Sequence, residues 1–243
     1  MIRKTPALFI LISVLWAPTS PRADNLESFN ASVGQAYAAY RSASNYLRTG
    51  NPGLASLEIA TALETWNGID ATFVPNPPNA YKNDPAFSSD LAAIDDALKD
   101  ALKAAEDEDA KSALRLLEPI REQIYTLRKR NGIRLYADCI TELNRAIEPL
   151  YVHRHKLPDL GISQIRAKMQ RDGEIYADLL KDCRSMASEE LTKDQEFTRL
   201  FDGTAQSIHS IFPAIKSGDP ERVVNVLREL RSFDRIIYFR FGG

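Results

Sequence analysis

The chain has 243 residues, 44% of them hydrophobic and 26% charged, with a formal net charge of -2. This is globular composition, which excludes a disordered polymer and a chain of membrane spans. The charge balance excludes a general affinity for nucleic acid or for anionic membranes, and no basic stripe interleaved with aromatics argues otherwise.

The first residues read as an export signal at residues 1–23. Arg3 and Lys4 supply a positive start, Ala7 to Trp16 a short apolar run, and Pro18 and Pro21 precede a small-residue cleavage point at Ala23-Asp24. The run is shorter than the roughly 20 apolar residues a spanning helix needs. A retained N-terminal anchor is the alternative reading. Cleavage removes three basic groups and no acidic one, leaving 28 basic against 33 acidic residues, a net charge of -5. The expectation is an exported protein, periplasmic or secreted, with no membrane span once the signal is gone.

Apolar residues then recur at helical spacing. Leu26, Phe29, Val33, Ala36, Tyr40, Ala43 and Leu47 form the first stripe, which Gly50-Asn51-Pro52-Gly53 ends. A second helix is expected through Leu54, Ile59, Leu63 and Trp66, ending near Gly68. Pro75, Pro77, Pro78 and Pro85 mark an irregular crossover, long enough to suggest that helices two and three lie parallel. The crossover either covers one end of a bundle or carries function through Phe73, Tyr81 and Lys82. Ser88-Ser89-Asp90 offers N-cap chemistry for helix three, and the acidic run Glu106 to Asp109 complements the dipole of helix four.

Pro119 predicts a kink in helix four. Lys129-Arg130-Asn131-Gly132 marks either a boundary or the middle of one long rod, with the boundary favoured. Helix five is expected from Ile133 to about Val152, and helix six from Ser163 to about Met186. Helix seven is expected to start at Ser188 or Thr192, and helix eight after Ser217-Gly218-Asp219-Pro220. Ala101 to Glu108 aligns with Ala214 to Glu221, and at the same offset Leu117 falls on Leu230. The predicted fold is therefore all-α: about eight helices as two related four-helix bundles in tandem, one over residues 24–131 and one over residues 132–243.

Candidate chemistry is sparse. In an oxidising compartment Cys139 and Cys183 are expected to pair, the alternative being two buried thiols. His153 and His155 form an H-x-H pair that would suit copper, nickel or zinc if the helix has unwound there; otherwise they belong to a solvated basic helix end. The architecture resembles cytochrome c-prime bundles in outline only. C-x-x-C-H is absent, and a non-covalent haem would have to draw on His209 with Met169 or Met186. No cofactor is predicted; metal or haem is the alternative. Tyr238, Phe239, Arg240 and Phe241 either dock on their own bundle or form a partner surface, including one for oligomerisation. No serine-hydrolase elbow, phosphate loop or zinc-protease motif occurs. A binding module for a protein, an envelope component or a small ligand is thus expected ahead of a metal or haem carrier, and an enzyme of unknown class comes third.

Overall fold

The computed structural model describes residues 21–242, with side chains from Asn25. The export segment read at residues 1–23 lies, up to residue 20, outside the described residues. The described chain is all-helical, and none of its helices is long and apolar enough to cross a membrane. The helices are α1 (Pro21–Arg48), α2 (Pro52–Phe73), α3 (Phe87–Glu106), α4 (Ala110–Leu117), α5 (Ile120–Arg130), α6 (Tyr136–Ala146) and α7 (Glu148–Tyr151). A 3-10 turn (Val152–Arg154) precedes α8 (Ser163–Met186), α9 (Glu189–Lys193), α10 (Gln195–Ser217) and α11 (Pro220–Phe241).

The expected eight helices are present, three of them interrupted. Pro119 separates α4 from α5, as its missing N–H and fixed φ require. Pro149, at the start of α7, interrupts the fifth helix, which the sequence pattern had left whole. The seventh is split because two residues compete as N-caps. The Ser188 hydroxyl accepts from Leu191 N, and the Asp194 carboxylate accepts from Glu196 N and Phe197 N. The boundary after α5 is real: Gly132 takes φ +70°, a left-handed conformation suited to glycine.

Three expectations fail in the crossover. Helix α2 runs past Gly68 to Phe73, and α3 begins at Phe87, ahead of the Ser88-Ser89-Asp90 cap. The N-cap of α3 is Ala86, with no side-chain cap, and Asp84 Oδ1 accepts from Ala86 N at 3.1 Å in the turn before it. Helices α2 and α3 are antiparallel, because the end of one and the start of the other meet at the same ring: Phe29 lies 5.2 Å from Phe73 and 5.7 Å from Phe87. Consecutive turns at Pro78, Tyr81 and Asp84 consume the chain that a parallel crossover would need. Tyr81 and Phe73 are core residues, 1% and 3% exposed, and only Lys82 points outward.

Helices α1, α2, α3 and α4 pack each against the next, with α4 returning to α1; α6, α8, α10 and α11 close in the same way. Each set has its own buried core. In the first, Phe29, Val33, Tyr37 and Tyr40 on α1 face Ile59, Trp66 and Phe73 on α2. Trp66 Nε1 donates to Leu91 O at 3.0 Å, so the ring is buried without losing its polar contact.

The two halves do repeat, but the alignment read from sequence is three residues out. Glu108 N donates to Ala105 O and Asp109 N to Ala104 O; Gly218 N donates to Ile215 O and Asp219 N to Ala214 O. These are the same helix-ending turn, and they are 110 residues apart. At that spacing buried residues meet buried residues: Phe87 with Phe197, Leu98 with Ile208, Leu117 with Leu227, Trp66 with Tyr176. A slip of three residues leaves an amphipathic stripe nearly superposed, which is why the sequence alone admitted it.

Candidate functional site

The chemistry gathers where the two halves meet. A cleft of about 510 Å³ opens between α1 and the α4–α5 corner on one side and α6, α7 and α11 on the other. Its floor is a polar chain that crosses from half to half. Arg121 Nη1 donates to Asn144 Oδ1 at 2.7 Å, and Asn144 Nδ2 donates to Asp234 Oδ1 at 2.7 Å. Arg231 reaches Asp234 Oδ2 at 3.4 Å and Glu148 at 2.7 Å. Asp234 is 1% exposed and neighbours the buried Tyr176 hydroxyl. Burial pushes its carboxyl up to about 6, against the pull of the Asn144 amide and of Arg231 and Arg121.

The C-terminal aromatics build one wall. Tyr37 OH donates to Tyr238 OH at 3.3 Å, and Arg41 Nη1 donates to the carbonyls of Tyr238 at 3.1 Å and Phe239 at 2.8 Å. The Arg121 guanidinium lies over the Tyr238 ring, 4.6 Å from its centroid. Phe241 is buried edge-on against Phe197. Phe239 stays 42% exposed and lines the cleft, and Arg240 lies outside it, 3.4 Å from Glu196. Of the four residues singled out in the sequence, then, Phe241 docks within its own half, Tyr238 reaches across to the other half, and Phe239 faces the cleft.

Cys139 and Cys183 lie at disulfide distance, with Sγ atoms 2.09 Å and Cα atoms 5.4 Å apart, joining α6 to α8. The bond lies in the second core, away from the cleft. His153 is half-buried in the 3-10 turn, where burial and then the Lys168 ammonium hold its imidazole below the ordinary range. His155 and His209 are exposed, and Met169 is a core residue. Among the described residues no group of three or more His, Cys, Asp or Glu is placed to hold a metal ion.

Apart from Tyr238 and Phe239, sequence reasoning missed the cleft residues. Asp234 had a signal: it interrupts the buried stripe Leu227, Leu230, Asp234, Ile237, Phe241. Arg121 and Arg231 had another, standing 110 residues apart at equivalent points of the repeat, visible only with the correct alignment. Set against known proteins, the chain matches no family model, no curated protein and no solved structure. Fold and site define an all-helical protein whose two repeated halves enclose a polar cleft.

Proposed function

We propose that this is an exported binding module whose cleft between the halves receives a small molecule, with no chemical turnover. The cleft carries the reading. Its volume lies within the roughly 300–1,000 Å³ typical of small-ligand sites, and both halves contribute polar side chains to it. Export is supported by the N-terminal signal pattern and by a cysteine pair placed to close in an oxidising compartment. The metal or haem alternative has no comparable cavity behind it: His153 sits in a 3-10 turn, and His155 and His209 are exposed.

Native mass spectrometry on protein isolated from the extracytoplasmic fraction tests the reading. The wild-type chain should carry a small molecule that Asn45→Trp, which fills the cleft from α1, excludes. Equal masses above the bare polypeptide for both proteins, or a stoichiometric metal or haem lost on His153→Ala, His155→Ala or His209→Ala, would overturn it.

A further inference from the structure

The cleft is basic in a chain that is net acidic. Five arginines line it, Arg41, Arg48, Arg121, Arg231 and Arg235, with four acids, Glu118, Glu122, Glu148 and Asp234. Three of those acids are already matched. Arg231 holds Glu148 and Asp234, and Arg145 pairs with Glu122. On the other side of the balance, Arg41 and Arg121 are engaged with backbone carbonyls, an amide and a tyrosine ring. Arg48 and Arg235 have no carboxylate partner among the described residues, and both are exposed at the mouth, on α1 and α11 respectively. Two fork-shaped donors, one from each half, thus face a cleft in which a single acid, Glu118, remains unmatched. Tyr40, Tyr238 and the 42%-exposed Phe239 line the same cleft.

We infer that the cleft binds an organic oxyanion, a molecule with a carboxylate or phosphate group and a flat apolar body. The oxyanion is held between Arg48 and Arg235, and the body rests on Tyr238 and Phe239. Guanidinium groups fit such oxygens with paired N–H donors, and aromatic walls accept a flat ring. Because the two arginines come from opposite halves, the anion bridges them. The inference rests on the cleft being a binding site and adds the charge of what it takes.

Calorimetric titration with phenyl phosphate, at low ionic strength, tests it, with benzylamine as the cationic molecule of similar body. Phenyl phosphate should bind one-to-one, and benzylamine at least about tenfold more weakly. Arg48→Gln with Arg235→Gln should weaken phenyl phosphate by about tenfold or more, each lost charged hydrogen bond contributing at that level. Glu118→Gln should tighten it by about threefold, the scale of an exposed charge contact. All three side chains are exposed, so the variants should keep the helical circular dichroism of the parent. Failure of phenyl phosphate to bind, equal or better binding of benzylamine, or an unchanged affinity in the double arginine variant would overturn the inference. A neutral or cationic molecule found in the wild-type cleft and excluded by Asn45→Trp would also overturn it, while leaving the binding reading standing.

Discussion

Glu108 occupies in the first half the left-handed turn position that Gly218 occupies in the second, with φ of 60° and 70°. The two residues close the same pair of turn hydrogen bonds, but only glycine adopts that backbone without a Cβ penalty. For a non-glycine residue the penalty is about 1–2 kcal/mol. Glu108 is exposed, so its side chain contributes little packing. Glu108→Gly should therefore raise stability by about 0.5–1 kcal/mol, the penalty less the entropy cost of a glycine in the unfolded chain. Urea denaturation measures this, and a loss of stability would mean that Glu108 is not strained.

A second prediction concerns the disulfide. Cys139 and Cys183 occupy, 110 residues on, the places that Phe29 and Phe73 hold in the first half. A covalent link thus stands where the other half uses an edge-to-face aromatic pair. Replacing both cysteines by alanine should cost about 3–4 kcal/mol in the chain-entropy account of a loop of this length. Hydrogen exchange should show the loss concentrated in α6 and α8, with α1 and α2 little changed. Uniform loss across the chain would show that the two cores unfold as one unit.

Arg128 and Asp138 form a buried ion pair at 3.3 Å across the α5–α6 junction, their side chains 5% and 3% exposed. Asp138 also accepts from Leu135 N at 2.8 Å, which fixes the start of α6. Burial pushes its carboxyl above the ordinary range, opposed first by Arg128. Arg128→Met should cost about 3–5 kcal/mol, because it leaves a buried carboxylate without its cation. Adding Asp138→Asn should recover part of that loss. If the double variant is worse than the single, the pair is not coupled in this way.

Asp234 gives a prediction in pH. Its folded value of about 6 lies above the ordinary carboxylate range, so the folded chain holds a proton that the unfolded chain releases. This group therefore favours folding increasingly as pH falls from about 6 to about 4, and its desolvation cost is fully present above 6, on the order of 3 kcal/mol at most. Asp70, also raised to about 6 by burial and by Asp95, acts with the same sign, so a difference measurement is needed. The stability of Asp234→Asn, compared with wild type between about pH 4 and 7, should depend less on pH. Parallel curves would place the proton elsewhere.

The helical class, the Pro119 break and the cysteine pairing were legible in the sequence because each depends on local chemistry or on a pattern that a few residues carry. The repeat was legible in kind but not in register, since Glu108 took the turn position without the glycine that would have anchored the alignment. The crossover misled for another reason: prolines and asparagines signal irregular backbone, but not that Tyr81 folds back into the core. The cleft was illegible as a whole. It joins Arg48 on α1 to Arg235 on α11, and no periodicity within either helix says which faces will meet. Asp234 carried a local signal, a carboxylate within a buried stripe, which the pattern reading passed over.

The contacts of Arg41 with the carbonyls of Tyr238 and Phe239 span 197 and 198 positions. Synthesis delivers the first four helices long before those carbonyls exist, and the first core can close without them. The cleft cannot. A polypeptide that emerges amino-end first has no wall opposite Arg41 and Arg48 until α11 has left the ribosome. Under the binding proposal, ligand present at that moment can seal the finished molecule but cannot recruit an unfinished one. Occupancy of the cleft would then distinguish complete chains from interrupted ones.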